Sequence, residues 1–247
     1  PMGARRTRAL TLALATASLV LAANSCSFDT RIADGREVIY HYLDAGDQEL
    51  ADELLADCWT LPRYDSVCLD GPPTWTEDPY GENYWRMVFY SLRHTRHLLW
   101  AYRETGDTAY RDKLLEILAA FAEDANTQDP LWDKHTAAFR AMVLVNTYVK
   151  LDDLGDLEDP LAHRLRDKIR RLGRWLADPG HFDDDYNHGF TEAAALALIA
   201  HNFPEWGNGP GEDWSQLASD RLVTLLHRAV DPDGVEVEQS PYYHLYV

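Results

Sequence analysis

The chain has 247 residues, 23 Lys and Arg against 41 Asp and Glu, and a formal net charge of −18. That balance argues against nucleic acid and anionic membranes as partners, since polyphosphate surfaces recruit basic proteins. Eight Trp and thirteen Tyr supply flat apolar faces of the kind that suit sugar rings, although a polyanionic sugar would need a cleft more basic than the chain as a whole.

At the start, Arg5, Arg6 and Arg8 precede the apolar run 9–23. At about 15 residues this run is short for a bilayer span and has the pattern of a secretion signal, so residues 1–26 are expected to direct export to the periplasm, cell surface or medium. Small residues lead up to Cys26, a candidate lipidation and membrane-anchoring site, with Ala23 where the motif usually carries leucine. With Cys26 lipidated, Cys58 and Cys68 are left to pair in an oxidising compartment. Residues 27–247 are expected to form one domain.

Helical periodicity dominates the rest of the chain. Short helices are expected over 36–43 and 47–58, separated at Ala45-Gly46, with an irregular proline-rich passage over 60–79 after them. A long helix is expected over 83–104, with Trp85, Val88, Phe89, Leu92, Leu99 and Tyr102 at helical spacing, stopped by Gly106. The next starts at Thr108 with the stripe Tyr110, Leu114, Ile117, Leu118 and Phe121, and ends before Asn126. Further helices are expected over 136–151, 160–177, 191–202 and 213–230, with breaks at Pro160, Pro179-Gly180 and Pro204. Only 235–238 reads as a short strand. The fold class is therefore all-α, built of helix hairpins. Without a recurring 34-residue period, an incomplete α/α toroid is favoured over a tetratricopeptide solenoid.

Two strings carry the chemistry. Tyr186-Asn187-His188-Gly189-Phe190-Thr191-Glu192 sets an amide and an imidazole at the mouth of a helix, with Asn187 or Thr191 as its cap and Glu192 adding a favourable charge to its first turn. The second, 233–244, delivers Tyr242, Tyr243 and His244 in tandem after a turn. His94 and His97, at i, i+3 spacing among Arg93, Arg96 and Arg103, read as a solvated face rather than a metal pair. The acidic run 183–185 lacks the glycine-spaced ligands of a calcium loop. No metal or cofactor is expected.

Taken in order, Trp75 to Tyr80 with Trp85, the 101–110 hairpin, Trp132-Asp133-Lys134-His135-Thr136-Ala137-Ala138-Phe139-Arg140, Asn187-His188-Gly189, Phe203-Pro204-Glu205 and the 233–244 string resemble the helical N-terminal domain of the heparinase II/III-like family, which includes alginate and heparan-sulfate lyases. The resemblance implies an α/α toroid followed by a β-sandwich domain, the latter expected to lie outside this chain. It also implies β-elimination from a uronic-acid-containing polysaccharide. Asn187 matches the family's carboxylate-binding asparagine, and His188 and Tyr243 match its proton-transferring pair, with Tyr243 as the acid and Tyr242 as its rival. His135, Arg140, Trp132 and Glu238 are implied as substrate-binding residues of the cleft. Each also has a bland reading: Asn187 as a helix cap, His188 as a structural histidine, Tyr243 as a core aromatic, His135 and Arg140 as a polar helix face. The rival functions are a toroid glycoside hydrolase, which would need two carboxylates such as Asp185 and Glu238, and a non-catalytic sugar-binding lipoprotein.

Overall fold

The computed structural model describes Leu43 and residues 45–123, 134–184, 186–209 and 212–229. The expected export signal, most of the helix expected over 36–43, Trp132, Asp185 and the whole 233–244 string, with Glu238, Tyr242 and Tyr243, lie outside the described residues.

Helix α1 (Gln48–Leu55) begins where Asp47 accepts the Leu50 N–H at 3.1 Å, a side-chain cap. Strands β1 (Cys58–Trp59) and β2 (Val67–Cys68) then form a short antiparallel hairpin with Cys58 opposite Cys68. Next come α2 (Asn83–Tyr90), a 3₁₀ turn (Arg93–Thr95), α3 (Arg96–Thr105) and α4 (Thr108–Glu123). Gly106 closes α3 in the left-handed conformation, φ 73°, its N–H bonded to the Tyr102 carbonyl, as its place in the sequence predicts. After these come α5 (Lys134–Leu154), α6 (Asp159–Ala177), a second 3₁₀ turn (Pro179–His181) and α7 (Tyr186–Asn202). A second minimal hairpin, β3 (Asn208–Gly209) with β4 (Glu212–Asp213), leads into α8 (Trp214–Ala229).

Neighbouring helices pack as hairpins: α3 on α4, α5 on α6 and α7, α6 on α7, and α7 on α8, with α4 also meeting α6 and α1 closing over α3 and α4. The architecture is all-α, an incomplete α/α toroid of the kind expected. Helix α5 is its inner element, and every residue from Thr136 to Leu151 is buried. That explains why α5 carries no amphipathic stripe, since a helix covered on all sides gains from apolar residues at any angle. At one end of the core, Phe89 is surrounded by Trp59, Trp85, Tyr90 and Trp75, with ring centroids between 4.6 and 5.5 Å away. Such offset and edge-on aromatic pairs add to the burial of their large surfaces.

Four expectations are corrected. The helix expected over 83–104 is broken: Ser91 donates to the Val88 carbonyl, Leu92 turns left-handed at φ 61°, and the chain restarts through the 3₁₀ turn. Apolar spacing continues on both sides of the break, so periodicity alone does not reveal it. The helix expected from residue 191 begins at Tyr186, so Asn187 and His188 belong to its first turn rather than preceding it. Thr191 is therefore no cap; its hydroxyl donates to the Asn187 carbonyl at 2.9 Å, inside the helix. Two short hairpins form where none is expected, taking Cys58 from the end of the helix expected over 47–58 and Asp213 from the start of that over 213–230, each too short for a period-two signal.

Cys58 and Cys68 form a disulfide, closing the loop that holds residues 60–65. Replacing both by serine should lower unfolding stability by about 2 to 3 kcal/mol, from the loop-closure entropy of about ten residues. The shift of the urea midpoint relative to the parent chain measures it.

Candidate functional site

The turn-rich passage before α7 is pinned from several sides. Asp178 accepts the Gly180 N–H at 2.8 Å, and the His181 ring stacks on Trp175 at 4.2 Å. Beneath them Arg221 of α8 donates to the Leu176 and Ala177 carbonyls and lies over the Phe182 ring. Gly189 is required here, because a Cβ at this position would run into the Asp183 carbonyl and the Leu225 side chain. The close approach holds the first turn of α7 against the chain leading into it.

On that turn Asn187 is half-buried, and the His188 side chain is 47% exposed, with Nδ1 3.8 Å from an Asp183 carboxylate oxygen. The His188 ring lies 4.3 Å from that of His135, at the start of α5, which in turn meets Phe139 edge-on at 4.6 Å. The fold thus brings His188, which follows Asn187 in the sequence, to His135, two residues expected in one site from separate strings. Arg140 is corrected. It is 1% exposed, its Nε donates to the Tyr90 carbonyl at 2.7 Å, and it ties α5 to α2 instead of facing a ligand. One turn along α7, Glu192 is also buried, and it accepts the Asp183 N–H at 2.7 Å. Burial pushes its carboxyl up to about 7, so it is not the exposed first-turn charge that the sequence suggests.

His135 and Phe139 line a cleft of about 610 Å³. One wall is the disulfide-closed loop, with Thr60, Leu61, Arg63, Tyr64 and Asp65; another is the break after α2, with Arg93, His94, Arg96 and His97; Tyr84 and Met87 complete it. Three arginines, Arg63, Arg93 and Arg96, face one carboxylate, Asp65, so the cleft is locally basic in an acidic protein. Arg63 lies over the Tyr84 ring at 4.8 Å, and Arg96 donates to the Ala45 and Arg93 carbonyls.

The second wall overturns the solvated-face reading of His94 and His97. Both are 3% exposed, with rings 4.8 Å apart, and His97 Nδ1 accepts the Asp47 N–H at 3.0 Å. Burial, with the nearby Arg96, holds both imidazoles down at about 3, hence neutral. Among the described residues no cluster of three His, Cys, Asp or Glu could hold a metal ion. Arg63, Arg93 and Arg96 escape sequence reasoning as cleft residues. The only trace of the wall is the run Arg93-His94-Thr95-Arg96-His97, whose density of donors is unusual inside an apolar stretch.

The helical domain has counterparts among known proteins. Residues 21–247 match the family described as Heparinase II/III N-terminus, and the chain belongs to that family. Its fold is similar to that of heparan sulfate lyase HepC from Pedobacter heparinus, with a TM-score of 0.65 and 21% identity over 86% of this chain and 33% of that one. It is likewise similar to a heparinase III, with a TM-score of 0.64 and 19% identity over 80% of this chain and 34% of the other. The chain spans about a third of the length of these solved structures, and at such identities the likeness is one of fold. No curated protein matches the sequence.

The buried titratable groups set opposite pH trends. His94 and His97 have folded values below their ordinary 6.5, so their contribution is present above that pH and is lost as pH falls toward about 3. Glu192 has a folded value above its ordinary 4.5, so its contribution is complete below that pH and is lost as pH rises through about 7. Thermal midpoints measured across this range should show His94→Phe flattening the acid limb and Glu192→Gln flattening the fall between pH 4.5 and 7.

Proposed function

We propose that the protein cleaves a uronic-acid-containing polysaccharide by β-elimination. The observation that carries this reading is the contact of His188, which follows Asn187 on the first turn of α7, with His135 of the basic cleft. In the reaction a base removes the proton at C5, the electron pair forms the C4–C5 double bond, and the bond from C4 to the leaving oxygen breaks while an acid protonates that oxygen. The C5 proton is weakly acidic until the neighbouring carboxylate is neutralised. The Asn187 amide can donate to that carboxylate, and the positive end of α7 adds to the field at the same place. His188 serves as the exposed proton-transferring group, with Asp183 near its Nδ1 to orient it. Tyr243 is assigned as the acid through the family resemblance, with Tyr242 as its rival and Trp132 and Glu238 as substrate-binding residues.

The protein is further read as exported, with lipidation at Cys26 as the anchoring route. The Cys58–Cys68 bond supports export, since disulfides persist in oxidising compartments.

Incubation with alginate or heparan sulfate should release a 4,5-unsaturated uronate that absorbs in the ultraviolet. Asn187→Ala should slow its release by about 10² to 10³, and Tyr243→Phe by about 10² to 10⁴, without loss of helical signal. New reducing ends without ultraviolet absorbance would assign hydrolysis instead. Parent rates in both variants would overturn the residue assignments.

A further inference from the structure

We propose that Arg93 is the anion-reading residue of the cleft, its guanidinium taking the carboxylate or sulfate of a sugar adjoining the one that meets His188. The proposal rests on reading the cleft as a polysaccharide site and adds to it the group that selects the substrate's charge. Arg93 directly follows left-handed Leu92, so the break after α2 is what turns this side chain toward the cleft. Its guanidinium carbon lies 4.3 Å from the centre of the Phe139 ring, and the same ring receives His135, whose own ring lies at a tilt against that of His188. Arg93 and His188 are thus separated by two intervening rings, a distance that a short oligosaccharide bridges.

Among the described residues the arginine has no counter-charge of its own. Elsewhere Arg86 pairs with Asp78, Arg111 with Asp112 and Asp156, Arg166 with Glu205, and Arg228 with Asp184. Arg93 has no carboxylate partner among the described residues, although the chain holds 41 acids. Its Nε is buried without a hydrogen-bond partner, and so is Nε2 of the neighbouring His94. Buried donors are normally matched, so the unmatched Nε marks a guanidinium on the cleft lining whose hydrogen bonds are not all taken up within the protein. Phe139 covers one face of the guanidinium, leaving the edge of the fork for two-point contact with an oxyanion.

The test is calorimetric binding of three oligosaccharide probes to the full chain: one of uronates only, one of sulfated uronates, and a neutral glucan. Arg93→Met keeps an aliphatic stem over Phe139 and should weaken whichever anionic probe the site takes by about ten- to a hundredfold, with the neutral probe unchanged. Arg93→Lys, which keeps the charge but loses the fork, should fall in the same direction. Arg171→Ala removes an equal charge from the exposed face of α6 and should change affinity by less than about twofold. Loss on the uronate probe assigns a carboxylate, and loss on the sulfated probe alone assigns a sulfate. Parent affinity in Arg93→Met and Arg93→Lys, or no binding of either anionic probe to the parent chain, overturns the proposal. Arg93-dependent binding without unsaturated product would overturn the lyase reading and leave this one standing. Cleavage that is indifferent to Arg93 would do the reverse.

Discussion

Burial of α5 on every side is the constraint on which the rest of the structure depends. A helix of 21 residues that meets other helices all round must be apolar or internally answered at each position. Arg140 shows how a long polar side chain is accommodated there, with its Nε bound to the Tyr90 carbonyl and its guanidinium near the Phe121 ring. Because α5 is held so firmly, its first turn is a rigid platform. His135 and Phe139 project from it into the cleft, where they meet His188 from α7 and Arg93 from the α2–α3 break.

That break is the second decisive feature. In a continuous helix over 83–104 the direction of Arg93, His94, Arg96 and His97 would be tied to the register of Trp85 and Phe89. The left-handed Leu92 and the 3₁₀ turn instead place all four on one cleft wall, with the two imidazoles buried and neutral. A left-handed branched side chain is unfavourable on its own, and its complete burial, with Thr95 donating to its carbonyl, holds it there. The cleft lining therefore carries three arginines against one carboxylate, a local balance that the net charge of −18 conceals.

The approach to α7 works through shared hydrogen bonds rather than through charge. Glu192, buried below the first turn, accepts the Asp183 N–H, and Asp183 in turn faces His188. With the Gly189 contact, this fixes the height at which Asn187 and His188 emerge. A polar group placed beneath a reactive turn is a support whose value lies in geometry, as the groups that orient reactive side chains generally are.

Much of the helix content was legible in the sequence. Amphipathic stripes over 108–123 and 160–177, Gly106 as a stop and Pro160 as a start are local signals, and local signals survive into the fold. The pairing of Asn187-His188 with His135 was also expected, through the order of motifs rather than any physical signal in the residues. What only the tertiary structure decided was direction. Arg140, which resembled a cleft residue, points inward, while Arg93 and the two histidines, which resembled a solvated face, form the cleft wall. Sequence spacing sets which side chains share a helix face, but a single left-handed residue at Leu92 re-aims everything after it, and its cost is offset only by contacts that exist once the chain has packed.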